Sequence, residues 1–183
     1  MRIVGGRLKG RRFKPKSDKW PTRPTTDFAK EALFNIIENR IDIATASVLD
    51  LFGGTGNITF EFTSRGAPSI QYVDNYKPAV LFVTKTISEL GLTGQVTVSR
   101  NDVFKFLKQT KTQYDIVFAD PPYSHKRLAE LPQLVCDSGV IHEHSIIIIE
   151  HDQNNDFSKE AMFVEERRYG SARFSFFRMQ TTK

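Results

Sequence analysis

Short apolar runs recur along this chain at 47–52, 69–74, 95–99, 114–119 and 145–150, separated by turn-forming and charged residues. Their length and β-branched content mark them as strands. Between them, apolar residues return every three or four positions over 57–65, 77–90, 102–109 and 126–137, the pattern of helices with one buried face. An earlier helix is predicted from Asp27 to about Asn39, with Phe28, Ala32, Leu33, Ile36 and Ile37 on one face and Thr25, Thr26 and Asp27 offering its N-cap. Pro132 is expected to kink or split the helix at 126–137. Strands alternating with helices imply a parallel sheet covered on both faces. The end of the chain departs from this rhythm. Residues 162–169 and 172–180 flank Gly170-Ser171 and read as an antiparallel hairpin. At the start, Ile3, Val4, Leu8 and Phe13 interleave with glycines and cations, which predicts a small β-hairpin over about 2–14, followed by a loop containing Pro21 and Pro24.

Charge divides the chain more sharply than hydropathy does. The net charge is +5, yet residues 1–30 hold ten Lys or Arg and two acids, a net of +8, so the remainder is mildly acidic. This suggests a basic arm, 1–23, joined to a mildly acidic domain, 24–183. A basic arm on an acidic domain fits a polyanion such as RNA; the plainer reading is a solubilising tail, but a disordered tail would lack the interleaved apolar residues. Trp20 either stacks on a base or plugs the arm onto the domain. At 183 residues with 39% hydrophobic and 26% charged content, the chain is expected to be one globular domain. No apolar run approaches the length of a membrane-spanning helix, and no apolar stretch follows the first charge as in a signal peptide. The single Cys136 excludes an intramolecular disulfide and fits a reducing, cytoplasmic setting. His125, His142, His144 and His151 are scattered and no Cys–His spacing suits zinc, so no metal site is expected. No heptad or long apolar stripe calls for a dimer, and a monomer is expected.

Candidate chemistry collects at the strand ends. The run 114–119 ends in Asp120-Pro121-Pro122-Tyr123. Pro-Pro fixes φ and removes two donors, leaving acceptors around an acid and a flat ring. Such a tip can hold a planar amine: carboxylate and carbonyl accept its N–H groups while the ring stacks on the base that carries it. Read alone, it is also a turn that happens to contain Pro-Pro. Upstream, Asp50-Leu51-Phe52-Gly53-Gly54-Thr55-Gly56 joins a strand to a helix. Glycines there admit a ligand close to the backbone, and an acid suits a cationic or amine-bearing ligand better than a pyrophosphate. The alternative is an ordinary turn with glycines for packing. Asp74, at the end of the next strand, can accept both hydroxyls of a ribose. Asn101-Asp102-Val103 follows the strand at 95–99; Asp102 either reaches an adenine amine or caps the next helix. In an open parallel sheet these tips share one edge, where ligands bind.

The ordered set Asp50-x-x-Gly-Gly-x-Gly56, Asp74, Asp102 and Asp120-Pro-Pro-Tyr123 resembles class I S-adenosylmethionine-dependent methyltransferases that act on amines. The amino-terminal blocks Arg2-Ile-Val-Gly-Gly-Arg-Leu-Lys-Gly-Arg11, Arg23-Pro-Thr-Thr-Asp27 and Lys30-Glu-Ala-Leu-Phe-Asn35 narrow the resemblance to the RsmD family. It implies a Rossmann-like α/β fold with a mostly parallel seven-stranded sheet, a carboxy-terminal antiparallel hairpin and the amino-terminal hairpin arm. The implied activity is methylation of the exocyclic N2 amine of a guanine in 16S ribosomal RNA, in the 30S subunit or its assembly intermediate. S-adenosylmethionine would be held by Asp50, Phe52, Gly53, Gly54, Thr55, Gly56, Asp74, Asn75, Asp102 and Val103. Catalysis would rest on Asp120, Pro121, Pro122 and Tyr123, and RNA contact on Arg7, Lys9, Arg11, Arg12, Arg23 and Thr25. The Asp-Pro-Pro-Tyr tip does not separate guanine N2 from adenine N6 or a protein glutamine. An RNA-binding protein that keeps the fold without catalysis is the third reading, and the intact motifs argue against it.

Overall fold

The computed structural model describes residues 1–15 and 25–179; Trp20, Pro21, Arg23 and Pro24 lie outside the described residues. In chain order the elements are α1 (Asp27–Glu38), β1 (Ser47–Leu51), α2 (Asn57–Ser64), β2 (Ser69–Asp74), α3 (Lys77–Glu89), β3 (Val96–Arg100), α4 (Val103–Gln109), β4 (Ile116–Ala119), α5 (Leu131–Asp137), β5 (Ile146–His151), β6 (Phe163–Tyr169) and β7 (Ala172–Phe177). The strands form one sheet in the order β3-β2-β1-β4-β5-β7-β6. The first five pair in parallel, and β7 runs antiparallel to both β5 and β6.

The pleat sorts side chains by parity. Val48, Ile70, Ile116, Phe118, Ile146 and Ile148 pack into one core layer with Leu33 and Phe34 of α1, Phe60 and Phe62 of α2, and Val83 of α3. Leu49, Leu51, Val73, Val117, Ile147 and Ile149 pack on the other face with Phe104 and Leu107 of α4 and Leu131 and Val135 of α5. A parallel sheet buried on both faces is what strand runs with little polar alternation require.

Two expectations shift. The buried stripe of α1 is Ala29, Lys30, Leu33, Phe34 and Ile37, while Phe28 is 71% exposed and only its edge meets Tyr169. Thr26 caps the helix by accepting from the Ala29 N–H, which sets the stripe one residue beyond the predicted one. A buried lysine inside that stripe is what disguised it. The helix expected over 126–137 becomes a 3-10 turn, Leu128–Glu130, followed by α5 with Pro132 in its first turn. There the missing N–H breaks no helical hydrogen bond, so the proline splits the segment and opens the second part.

The predicted amino-terminal hairpin is reduced to one antiparallel bridge, Arg2–Arg12, with further backbone bonds from Ile3 N–H to Arg11 and from Phe13 N–H to Met1. What fastens it is α2. Glu61 accepts the N–H groups of Val4 (3.0 Å) and Gly5 (2.8 Å), and Ser64 Oγ accepts that of Leu8 and donates to the Gly5 carbonyl. The Lys30 ammonium donates to the Arg2 carbonyl (2.5 Å) and to Asn57 Oδ1 (2.8 Å) and lies 3.2 Å from Glu61. Lys30 and Glu61 are both fully buried, and burial pulls the lysine down against the raising pull of Glu61. Glu61 also pairs with Arg65 at 3.2 Å, whereas removing Glu61 leaves the buried Lys30 without its counter-charge, which costs about 3–5 kcal/mol. Glu61→Ala is therefore expected to destabilise the fold by about that amount and to speed hydrogen exchange at the Val4 and Gly5 amides; unchanged exchange at those two amides would show that the arm is held by other contacts.

Candidate active site

Strand order reverses between β1 and β4, and the crevice outside the carboxyl ends of those two strands is where ligands bind in such sheets. Alternation brings four acids to this edge on one face. Asp50 follows Val48, Asp74 follows Ile70 and Tyr72, Asp120 follows Ile116 and Phe118, and Glu150 follows Ile146 and Ile148.

Asp50 is 1% exposed and accepts a 2.5 Å hydrogen bond from Thr59 Oγ1. Burial pushes its carboxyl from 3.8 up to about 7, with Asp74 adding to the rise and Thr59 opposing it. Asp74 accepts the N–H of Gly54 (2.8 Å) on one oxygen and that of Tyr76 (2.7 Å) on the other, so its orientation is set before any ligand arrives. Burial raises it as well. Among the described residues neither acid pairs with a cation.

The turn between β1 and α2 is pressed against its surroundings. A Cβ on Gly53 would come within 2.3 Å of the Tyr72 ring, whose hydroxyl donates to the Gly54 carbonyl. Gly56 caps α2 at φ 75°, and a Cβ there would meet the Phe60 ring at 2.7 Å. Phe52 is the one non-glycine at positive φ (58°) among the described residues, with its ring edge-on to Phe104 and His125. A bulky residue in that region is strained, and such strain collects at ligand sites. Thr55 is half-buried in the turn, Asn75 is exposed beyond β2, and Val103 is buried at the start of α4. Asp102 caps α4 through the Lys105 N–H at 3.0 Å, which realises the capping reading of that residue.

At the tip of β4, the Asp120 N–H donates to the Leu51 carbonyl, tying the two strand ends together. Pro121 is buried, while Pro122 and Tyr123 are exposed. The Pro122 carbonyl accepts the His125 N–H at 2.7 Å, so of the two proline acceptors expected to be free only that of Pro121 is without a partner among the described residues. A cleft of about 1010 Å³ opens here, lined among others by Thr25, Phe28, Asp120, Pro121, Tyr123 and Glu150. Glu150 accepts Thr25 Oγ1 at 2.8 Å and the Tyr123 hydroxyl at 3.2 Å. Burial and the neighbouring Glu150 and Asp50 charges hold Asp120 well above the usual carboxylate range.

Sequence reasoning did not single out Glu150, although its signal was the same one that marked Asp50, Asp74 and Asp120: an acid closing an apolar strand. Thr25, expected to touch RNA, meets Glu150. The arm residues are spread along α2. Arg7 sits beside Ser64 at the far end of α2 and donates to Gln95 at 2.7 Å. The Arg2–Arg12 bridge lies at the near end, by Asn57, with Arg2 2.8 Å from Asp27. Lys9, Arg11 and Arg12 are exposed, and Arg23 lies outside the described residues.

The model of a protein family described as Conserved hypothetical protein 95 matches residues 1–178. The chain is 35% identical over 156 residues to a Bacillus subtilis protein named as a candidate rRNA methyltransferase, YlbH, covering 84% of this chain and 83% of that one. It is 32% identical over 155 residues to ribosomal RNA small subunit methyltransferase D of Escherichia coli K12, covering 85% and 76%. Among solved structures, a candidate methyltransferase of Escherichia coli, YhhF, superposes with a TM-score of 0.84 at 26% identity over 100% of this chain and 99% of that one.

Ionising Asp50 in the folded chain costs free energy that the unfolded chain does not bear, and the cost grows as pH rises from 3.8 through about 7. Asp50→Asn is expected to raise the Tm of the ligand-free protein by several degrees at about pH 8.5 and by clearly less at about pH 5. Thermal denaturation at both pH values checks this; equal shifts would mean that Asp50 is not held protonated by burial.

Proposed function

The chain belongs to the RsmD family of S-adenosylmethionine-dependent ribosomal RNA methyltransferases, and we propose that its acceptor is the exocyclic N2 amine of a guanine in 16S ribosomal RNA, within the small subunit or its assembly intermediate. The observation that carries this reading is the tip of β4, where the Asp120 carboxyl and the Pro121 carbonyl, which has no partner among the described residues, belong to residues that line one open cleft.

The cofactor fits the residues present. S-adenosylmethionine carries a sulfonium and an α-amino group, and the edge around β1 and β2 has acids with no cation bonded to them. Asp50 and the turn from Gly53 through Thr55 to Gly56 would hold the methionine part. Asp74, already oriented by two backbone N–H groups, would accept the ribose hydroxyls. Phe52, Asn75, Asp102 and Val103 would border the adenine. The bound cofactor supplies an electrophilic methyl group on sulfur.

Guanine N2 is a poor nucleophile because its lone pair is delocalised into the ring. Asp120 would accept one N–H and the Pro121 carbonyl the other, which aims the nitrogen at the methyl group. Alignment and stabilisation of the positive charge that develops on nitrogen would supply most of the rate. A carboxyl raised by burial is well placed to take the proton that the methylated amine releases. Tyr123, with its hydroxyl fixed on Glu150, would present its ring to the base, and Pro122 would stiffen the turn that carries it. A base must leave its stack to reach this cleft, so a loop nucleotide or a flipped one is the expected target. The exposed Lys9, Arg11 and Arg12, with Arg7 and Arg23, would follow the RNA, the arm 1–23 serving as a contact for the domain 24–183, while Thr25 holds Glu150.

Asp120→Ala is expected to abolish methyl transfer to small subunits from cells lacking the enzyme while leaving S-adenosylmethionine affinity within several-fold; parallel loss of both would place Asp120 in the cofactor site instead. Neutralising Arg7, Lys9, Arg11 and Arg12 together is expected to weaken RNA binding and flatten its dependence on salt, by up to about one unit of log–log slope for each lost phosphate contact. An unchanged slope would remove the arm from the RNA interface.

A further inference from the structure

We infer that Glu150 reads the Watson–Crick edge of the target base, accepting the N1–H of guanine while Asp120 and Pro121 hold the N2 amine; this rests on the guanine-N2 reading above. The placement follows from register. β4 and β5 pair in parallel with Ala119 beside Ile149, so the next position along sets Asp120 beside Glu150 on neighbouring strands, roughly 4.8 Å apart at the backbone. Guanine presents N1–H and the nearer N2–H in parallel from two nitrogens bonded to the same carbon, and two acceptors side by side are the complement of that pair.

Glu150 is built as an acceptor rather than as half of an ion pair. It is 3% exposed and lines the cleft with Asp120. No Lys, Arg or His among the described residues pairs with it. Its two oxygens instead take one hydroxyl each, from Tyr123 and from Thr25. An ionised carboxylate offers about four acceptor positions, so both oxygens keep capacity for a further donor. Burial raises both Asp120 and Glu150, and the Glu150 charge raises Asp120 further. A buried acid of this kind, without a counter-charge, gains from a ligand that brings N–H donors. Adenine would bring its bare N1 acceptor to the same place and leave Glu150 facing a lone pair. The Asp-Pro-Pro-Tyr tip suits any aromatic amine, whereas Glu150 supplies the preference among them.

Thr25 and Tyr123 act on this preference through Glu150. They lie on different elements, ahead of α1 and beyond β4, and their hydroxyls clamp the carboxylate from two sides. The position of the amino-terminal segment is thereby linked to base choice at the sheet edge.

The test uses small subunits rebuilt around 16S ribosomal RNA that carries either guanine or 2-aminopurine at the methylated position. 2-Aminopurine keeps the exocyclic amine, replaces N1–H with a bare nitrogen and lacks O6, so the Glu150→Gln comparison separates the N1–H contact from any contact to O6. The wild-type protein is expected to lose about 10- to 100-fold in kcat/KM on 2-aminopurine, the effect of one hydrogen bond to a charged group. Glu150→Gln is expected to shrink that preference to about threefold or less, by losing activity on guanine, while S-adenosylmethionine affinity stays unchanged. Equal wild-type activity on the two bases overturns the inference without any variant, as does a Glu150→Gln loss that is the same on both. If the wild type binds cofactor and methylates the exocyclic amine of neither base, the guanine-N2 reading fails and the role of Glu150 falls with it.

Discussion

Neighbouring strands of a parallel sheet keep one spacing and one pleat, and that constraint places the chemistry of this protein. A residue that ends one strand on a given face stands beside the residue that ends the next. Here Asp50, Asp74, Asp120 and Glu150 share one face; Asp50 pairs with Tyr72 and Phe118, so Asp74 and Asp120 stand two residues further along, and Asp120 comes level with Glu150. Four carboxyls gathered at a half-buried edge repel one another and are poorly solvated, and burial raises all four. Such an edge is unfavourable in isolation. On the proposed reading it would become favourable with a sulfonium, a ribose diol and an amine-bearing base in it, because each would bring positive charge or donors to the acids.

The amino-terminal segment is joined to this edge by a second buried arrangement. Lys30, Glu61 and Ser64 hold the arm against α2, and Asn57, which bonds Lys30, is the first residue after the glycine turn. Thr25, next to the cap of α1, bonds Glu150. The same short helix therefore carries the arm on its lysine and reaches the cleft through the residue before its cap. The amino-terminal segment is in this way fixed to the element that lines the cleft.

Much of this was legible in the residues. Alternating strand and helix patterns gave the sheet and its antiparallel end, since apolar runs of strand length and helical periodicity are strong local signals. Asp50, Asp74 and Asp120 were legible because each closes such a run. Glu150 closes one too, but with no proline or glycine after it to mark a functional turn, it passed as a strand end. The α1 stripe was misread at Phe28 because a buried Lys30 does not look apolar, and only its long-range partner Glu61 makes that burial tolerable. The arm looked like a hairpin because its apolar residues alternate, and its two ends do pair through the Arg2–Arg12 bridge, but the alternation gives no sign that Glu61 and Ser64 of α2 hold it. In each case the missing information was a contact between residues far apart in the chain, which no local pattern encodes.

The central claim is that this edge presents a guanine amine to the methyl group of S-adenosylmethionine. The most direct measurement incubates the protein with labelled S-adenosylmethionine and small ribosomal subunits from cells lacking it, digests the RNA, and identifies the labelled nucleoside by mass spectrometry. N2-methylguanosine at a single unpaired position of 16S ribosomal RNA is the result expected. Label in N6-methyladenosine, or in ribosomal protein instead of RNA, would contradict the account.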